Sequence, residues 1–348
     1  MKRTALPPAA GTIVGRVATI PATPALKLRV LSGLALVPVL LTPVLFAPDA
    51  ALARTTTTAG EAEGGGAVGT PAGATSATPT PLKGVAVYLS YAKGYPVARY
   101  EPGGGFTKLG NVPDTFQFSA SPDGTKLAWI TLDGRVHVGA GSTAKIVAKG
   151  AAAGFPCLTP VWSPDSTQVA YSPKDNSEKS PLIVINPDGT GARKAGKTLG
   201  VCHLAWSADG RHLAGYTGTT AGVYVFDMKT GTSVRAKGIK LANHVQSLSP
   251  DGRKVVVHTL SPEDPGGDGG WPEGFTPTIV DTVTGNQVPV PVKGKKIGAF
   301  YLADGRLVVR VAGRTHNTLV VLDSSGKELQ RLAEPAQART QALLQIVS

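Results

Sequence analysis

The sequence predicts an all-β protein in which six four-stranded antiparallel blades form a β-propeller, closed by a C-terminal strand in the first blade. Three observations predict this fold. Turn formers are abundant, with 43 Gly and 28 Pro, while only 17% of the 348 residues are charged, and this composition disfavours helical bundles and coiled coils. One strand–turn–strand pattern recurs at a nearly fixed period, and the 266 residues from 83 to 348 correspond to about six periods of 42. The chain also ends on an apolar segment that can complete the first blade.

The first 53 residues have the features of an export signal. Basic residues are scattered up to Arg29, an uncharged run covers 30–46, and 51–53 matches a small-x-small cleavage pattern. The uncharged run has 17 residues and contains two prolines, whereas a spanning helix needs about 20 residues. We therefore favour a cleaved signal peptide over a retained membrane anchor. We expect a secreted or extracytoplasmic protein, associated with the cell envelope and without a membrane span after cleavage.

Residues 54–82 are predicted to form a disordered linker before a propeller domain at 83–348. The linker consists mainly of Thr, Ala, Gly and Pro, and it has too few large apolar side chains to bury a core. The net charge is +12 for the chain and +8 without the first 53 residues. Because the remaining basic side chains are scattered singly, the charge favours solubility, and we expect no nucleic-acid partner.

Five copies of one tight turn carry the repeat. They begin at Ser121, Ser163, Ser207, Ser249 and Leu302, and their aspartates are 42, 44, 42 and 53 residues apart. In Ser-Pro-Asp-Gly, proline presets φ, aspartate accepts bonds from nearby backbone N–H groups, and glycine adopts a positive φ. We interpret the aspartates as turn formers, not calcium ligands, since no Asp-x-Asp-x-Asp-Gly loop accompanies them.

Further strands complete the blades and the ring. A β-rich stretch followed by a glycine turn lies downstream of four of the repeated turns, which gives four short strands per unit. Three more strands are predicted before the first repeat, within 85–109. We expect the segment 342–347 to pair with them as the innermost strand of the first blade, which leaves no open sheet edge. A helix at 339–348 is the alternative, because Gln and Ala favour helices.

The recurring Trp/Leu-Ser-Pro-Asp-Gly-Arg/Lys-x-Leu/Val-Ala pattern, with Asn-Pro-Asp-Gly-Thr-Gly at 186–191, resembles the WD-like repeat of TolB-type β-propellers. The resemblance covers 83–348. It implies a secreted or envelope propeller that acts in macromolecular interaction, with no catalytic residues to carry over. TolB proteins have an α/β domain before the propeller, where this sequence has the predicted signal and linker. Their role in an outer-envelope complex is therefore not carried over.

The candidate binding residues lie on the face opposite the repeated turns, where the sequence varies. The loops that lead into each blade share this face, and variable loops on a rigid scaffold often carry recognition. An insertion at 261–275 explains the spacing of 53 and is acidic and aromatic in a basic protein. The candidates are His203, His244, Asp114, Asn243, Lys296, Glu263, Asp264, Trp271 and Phe275.

Some of these candidates have structural alternatives. Trp271 and Phe275 can anchor a partner or fold the loop onto its own blade. His203 and His244 occupy nearly equivalent positions in neighbouring blades and can hold a metal or an anionic group. No third ligand is evident beside them, so we favour polar loop histidines and predict no metal and no cofactor.

Two cysteines lead into adjacent blades. Cys157 and Cys202 can form a disulfide in an exported protein or remain two buried thiols.

The sequence favours a monomeric, non-enzymatic module that binds a protein or cell-wall partner. It contains no Gly-x-Ser-x-Gly or His-Glu-x-x-His motif. It also contains no Ser, His and Asp whose positions in the predicted fold support a catalytic triad. One alternative is a propeller hydrolase or lyase with residues from several blades at the channel mouth. Another is a binder of anionic cell-wall polymer, whose retention would depend on salt.

Overall fold

The computed structural model describes residues 79–175, 181–264 and 271–348. The predicted export signal, nearly all of the predicted linker and part of the insertion lie outside the described residues. Among the residues that are described, no helix has the length and apolarity that crossing a membrane would require.

The described chain forms six antiparallel sheets, which are the blades of a β-propeller. The strands are β1 (Ala86–Leu89), β2 (Pro96–Glu101), β3 (Gly105–Asn111), β4 (Phe118–Ala120), β5 (Leu127–Ile130), β6 (Val136–Gly139), β7 (Lys145–Ala148), β8 (Val161–Trp162), β9 (Val169–Tyr171), β10 (Leu182–Ile185), β11 (Arg193–Gly196), β12 (Cys202–Trp206), β13 (His212–Tyr216), β14 (Val223–Asp227), β15 (Thr232–Arg235), β16 (Ala242–Leu248), β17 (Lys254–Thr259), β18 (Thr278–Asp281), β19 (Lys296–Tyr301), β20 (Leu307–Val311), β21 (Thr318–Leu322), β22 (Glu328–Ala333) and β23 (Ala342–Ile346). Short 3₁₀ helices cover Gly141–Thr143 and Ala336–Thr340.

From the innermost strand outwards, the six blades are β23-β1-β2-β3, β4-β5-β6-β7, β8-β9-β10-β11, β12-β13-β14-β15, β16-β17-β18 and β19-β20-β21-β22. The predicted propeller is confirmed. In the fifth blade a bridge between Val280 and Gln287 stands in place of a fourth strand. Pro289 and Pro291 follow this bridge, and proline has no N–H to donate to a sheet ladder.

The ends of the propeller domain pair in the first blade, as predicted. Strand β23 is antiparallel to β1, with Ala342 opposite Leu89, so a strand forms where a helix was the alternative. Leu82 and Gln330 add a second link, because the Leu82 N–H donates to the Gln330 side chain at 2.8 Å. The ring is therefore closed by pairing between distant parts of the chain.

The repeated turns join the innermost strand of a blade to its second strand, and we call their side of the propeller the turn face. In the second copy Ser163 Oγ donates to Asp165 at 2.6 Å, and the Thr167 N–H donates to the same carboxylate at 3.0 Å. These hydrogen bonds hold the pKa of the Asp165 carboxyl below its usual value. Each aspartate thus organises a turn within a few residues of itself.

Most of the apolar core lies between neighbouring blades. Phe226 of β14 belongs to one buried cluster with Val184 of β10 and Leu213 of β13, so the third and fourth blades pack face to face. The innermost strands of neighbouring blades lie side by side, and their exposed edges surround the propeller axis.

Candidate functional site

A cavity of about 170 Å³ lies on the propeller axis. All six innermost strands contribute residues to its wall: β4, β8, β12, β16, β19 and β23. Residues of the repeated turns, including Pro122 and Pro164, line the cavity together with the C-terminal Ser348, so it reaches the turn face. Trp271 from the insertion also lines the cavity. Trp271 comes from the side of the propeller opposite the turn face, and we call this side the loop face.

The described side chains that line this axial cavity include several aromatic ones and none that is charged at neutral pH. Trp162, Trp206, Phe300 and Tyr301 line it, and no described lining residue is Asp, Glu, His, Lys, Arg or Cys. Burial raises the pKa of Tyr301 to about 12. This composition suits a ligand with apolar groups, and it offers little for proton transfer at neutral pH.

Two buried polar groups of the wall have no hydrogen-bond partner among the described residues. They are the indole N–H of Trp162 and the hydroxyl of Ser119. The neighbouring Trp206 differs, since its indole N–H donates to the carbonyl of Gly210 at 2.9 Å. A buried donor without a partner costs about 1–3 kcal/mol, so the Trp162 indole N–H is an unpaired group in a residue of the wall.

The described residues at the C-terminal end of the insertion pack against the propeller. The indole N–H of Trp271 donates to the Phe118 carbonyl at 3.3 Å, and its ring centre lies 5.4 Å from that of His203 and 5.3 Å from that of His244. Phe275 is only 6% exposed. The structure therefore places both predicted aromatic residues against the protein's own side chains, and Trp271 also lines the loop-face end of the axial cavity.

His203 and His244 lie in contact beneath Trp271. Their Nδ1 atoms are 2.6 Å apart and both residues are buried, so one ring donates and the other accepts. Burial holds the pKa of His244 well below its usual value, and the neighbouring His203 and His258 lower it further. Within the described residues no group of three or more His, Cys, Asp or Glu is arranged to hold a metal ion.

The remaining predicted residues do not join this cluster as one site. Asn243 Oδ1 lies 2.8 Å from Nδ1 of His258, and Asp264 accepts a hydrogen bond from the Ser261 N–H within its own loop. Asp114 and Glu263 are exposed, and Lys296 is half-buried at the start of β19.

Sequence reasoning missed a buried ion pair next to the insertion. Arg310 is 1% exposed, and its Nε donates to the Glu334 carboxylate at 2.8 Å. Its other nitrogens donate to the carbonyls of Glu273, Ala338 and Gln341. Arg310 thereby joins the sixth blade to the insertion and to the segment before β23. A charged residue within the apolar run 307–311 was the available signal.

Tyr88 completes this network from the first blade. Its hydroxyl donates to the second oxygen of Glu334 at 2.8 Å. Burial and the neighbouring Glu334 raise the pKa of Tyr88, which keeps the hydroxyl protonated as a donor. The Arg310–Glu334–Tyr88 network therefore links the blades on either side of the ring closure.

Cys157, in the segment that leads into the third blade, forms a disulfide with Cys202, the first residue of β12 in the fourth blade. The His203 N–H also donates to the Cys157 carbonyl at 2.7 Å. The loop face of these two blades is thus held by a covalent bond and a backbone hydrogen bond.

These features define a six-bladed β-propeller with an axial cavity that is lined by aromatic side chains, including Trp271 at its loop-face end. No family model matches the sequence. A stretch of 55 residues is 38% identical to the Tol-Pal system protein TolB of Francisella tularensis subsp. tularensis (strain WY96-3418), and it covers 15% of this chain. The match spans 13% of that protein's length.

Solved structures similar to this one include TolB proteins. TolB from Acinetobacter baumannii has a TM-score of 0.49 and 15% identity, over 77% of this chain and 68% of that chain. The putative TolB from Agrobacterium tumefaciens has a TM-score of 0.39 and 16% identity, over 66% and 88%. An oligogalacturonate lyase in complex with manganese has a TM-score of 0.40 and 17% identity, over 72% and 75%. Because the sequence identities and TM-scores are low, these similarities do not show the function of this chain.

Proposed function

We propose that the protein is a non-enzymatic binding module of the cell envelope, and that a partner protein inserts a short segment into the axial cavity from the turn face. The observation that carries this proposal is the chemistry of the wall: five of its described lining side chains are aromatic, and among these described side chains only Tyr301 carries an ionisable group. The export features of the first 53 residues support a location outside the cytoplasm. The disulfide supports it as well, since disulfides persist in oxidising compartments.

The wall favours binding over hydrolysis or lyase chemistry. Its hydroxyl groups include Ser119, Ser247 and Tyr301, and nucleophilic catalysis by a serine needs an adjacent base. No described lining residue is a histidine or an acid, and Ser247 Oγ already accepts a hydrogen bond from the Tyr301 N–H. The raised pKa of Tyr301 keeps its hydroxyl protonated at neutral pH.

The wall also suits a peptide segment. Apolar side chains of a partner would contact Trp162, Trp206 and Phe300, and aromatic residues supply a large share of binding energy at such interfaces. A backbone carbonyl of the partner would accept the hydrogen bond that the Trp162 indole N–H does not make within the described structure. The loop-face end is occupied by Trp271, so entry from the turn face is the accessible route.

A phage-displayed peptide library tests this proposal. Peptides selected on the protein should lose at least about tenfold in affinity, or 1.4 kcal/mol, for Ala208→Trp, which places a large side chain at the turn-face mouth. Val234→Trp is the matched control, because Val234 is 68% exposed on the outermost strand β15. Trp162→Phe removes the indole N–H and part of the ring system, and it should weaken binding at least about fivefold.

Equal affinity of the selected peptides for the protein and for Ala208→Trp would contradict binding through the turn-face mouth. Release of reducing ends or of unsaturated products from cell-wall polysaccharides by the protein, abolished by Ala208→Trp, would instead support the hydrolase or lyase alternative.

A further inference from the structure

A second, larger cavity lies on the loop face between the third and fourth blades. Its volume is about 600 Å³, which falls within the range of small-molecule sites. Phe155, Leu199, Val201 and Tyr224 line it, together with Arg235 of β15. It shares no described lining residue with the axial cavity, so we call it the blade 3–4 cleft and treat it as a separate site.

The walls of the blade 3–4 cleft are held in place by covalent and steric constraints. Cys157 and Cys202 both line the cleft, and their disulfide ties one wall to the other. A Cβ atom on Gly200 would collide with the carbonyl oxygen of Gly215, and one on Gly215 would lie 2.6 Å from the oxygen of Gly200. The segment that leads into β12 therefore lies against β13 only because both positions are glycine, and the cleft is largely preformed.

The lining combines apolar groups with a single cation. Phe155 is 48% exposed, an unusual exposure for a large aromatic side chain, and Leu199, Val201 and Tyr224 are half-buried. Arg235 is the charged residue of the described lining. A site with this composition favours a ligand that has an apolar body and one negative charge.

Arg235 is placed for such a ligand. Its side chain forms no ion pair or hydrogen bond within the described residues. In contrast, Arg211 of the fourth blade and Arg253 of the fifth blade are each paired with an aspartate. A Cβ atom on Gly222 would lie 2.9 Å from Nε of Arg235. The guanidinium thus lies over the Gly222 backbone at the cleft, with its hydrogen-bond donors available to a carboxylate.

We propose that the blade 3–4 cleft binds a small amphiphilic carboxylate, with its apolar chain against Phe155, Leu199 and Tyr224 and its carboxylate on Arg235. The planar guanidinium matches a carboxylate with two parallel hydrogen bonds. The apolar chain removes the exposed face of Phe155 from water, which is favourable in proportion to the area buried. This proposal is independent of the partner site in the axial cavity.

Three probes of equal chain length test the charge requirement: octanoate, 1-octanol and octylammonium. In calorimetric titrations of the full chain, octanoate should bind at least about tenfold more tightly than octanol, and octylammonium should not bind. Amide resonances that shift on adding octanoate should belong to segments 155–158, 198–202 and 217–224.

Two variants test the residue assignment. Arg235→Gln should weaken octanoate at least about tenfold and leave octanol unchanged, and it should fold normally because Arg235 is exposed and unbonded in the described structure. Lys240→Gln changes the charge of the same blade region equally at another exposed position and should leave octanoate binding unchanged. Phe155→Ser should weaken both octanoate and octanol.

Several results would overturn the proposal. These are the absence of octanoate binding at millimolar concentration, equal affinity for octanoate and octanol, wild-type affinity in Arg235→Gln, and shifts confined to the axial cavity.

Discussion

The two faces of the propeller are stabilised in different ways. On the turn face, Ser163, Asp165 and Thr167 hydrogen-bond to one another within five consecutive residues, and related contacts recur in the other copies. On the loop face, Trp271 bonds to Phe118, which is 153 residues away in the chain. The turn face is thus built from local contacts that repeat, and the loop face from long-range contacts that each occur at one place in the described structure.

This difference has consequences for energy and for function. Exposed ion pairs and turn hydrogen bonds each contribute about 1 kcal/mol or less, whereas breaking a buried ion pair costs about 3–5 kcal/mol. Substitutions on the loop face should therefore affect stability more than those on the turn face. The proposed entry route for the partner lies on the turn face, where substitutions should cost less stability.

Arg310→Met should have the largest effect. It leaves the buried Glu334 carboxylate with only the Tyr88 hydroxyl among its described side-chain partners, so we expect the free energy of unfolding to fall by about 3–5 kcal/mol. The matched change Arg211→Met breaks an ion pair in which the arginine side chain is 50% exposed and should cost less than about 1 kcal/mol. Urea unfolding measures both.

Equal losses for the two arginine variants would contradict the difference between the faces. If Arg310→Met does not fold, Arg310→Lys keeps the charge but loses the planar set of donors. It should still destabilise the protein more than Arg211→Lys in the same urea experiment.

Reduction of the disulfide should have the next largest effect. Cys157 and Cys202 are 45 positions apart, and a loop of that size restricts the unfolded chain by about 3–4 kcal/mol. Urea unfolding of Cys157→Ser/Cys202→Ser should show this loss, and a reductant should reproduce it in the unmodified protein but not in the variant. Titration of two free thiols in the unreduced protein would show instead that the cysteines are not bonded.

The two faces should respond to acid in different pH ranges. The folded-state pKa of His244 lies below its ordinary value of 6.5. Burial of the neutral His244 ring therefore does not lower the free energy of unfolding above pH 6.5, and this free energy falls as the pH drops below that value. The loss is up to about 1.4 kcal/mol per pH unit for one group. The Asp165 pKa is also lowered, but from 3.8, so the stability that it adds is lost only below that pH.

Unfolding free energies measured from pH 7.5 to pH 5 check this expectation. His244→Gln should reduce the slope in that range, and His316→Gln, at an exposed position, should leave it unchanged. A wild-type slope in His244→Gln would mean that the buried histidine pair is not the origin of the acid response.

Ser166→Gly should have the smallest effect and the opposite sign. Ser166 has a φ of +59°, at the position where Gly124 and Gly210 stand in other copies, with φ of +68° and +73°. Relief of the left-handed strain is worth about 1 kcal/mol, and loss of the 3.2 Å hydrogen bond from the Asp123 N–H to Ser166 Oγ offsets part of it. We expect a net gain of about 0.5 kcal/mol in urea unfolding, and destabilisation would show that the hydrogen bond between blades outweighs the strain.

Much of the fold was predictable because its determinants are short and repeated. The turns at Ser121 and Ser249 combine residues whose conformational preferences agree with the turn they form, including a glycine at the positive-φ position. The pairing of 342–347 with the first blade followed from the need to remove open sheet edges. The three-stranded fifth blade was less predictable, because the effect of Pro289 and Pro291 depends on which strand would have to pair there.

The candidate site was predictable in part. Equivalent positions in neighbouring blades indicated that His203 and His244 are close, and the structure places them in contact. Whether Trp271 points outward or into the ring depends on the space inside the innermost strands, which no segment of sequence specifies. Arg310 was overlooked because its partners are carbonyls and a carboxylate from three other parts of the chain.

The sequence by itself determined the period of the repeat and the chemistry of the turns. Each of these depends on neighbouring residues or on a period that can be read along the chain. Only the tertiary structure decided that Trp271 closes the axial cavity, that Arg310 and Glu334 form a buried pair, and that Arg235 lies at an apolar cleft. These features depend on atoms from distant positions, and ring closure determines which of them meet.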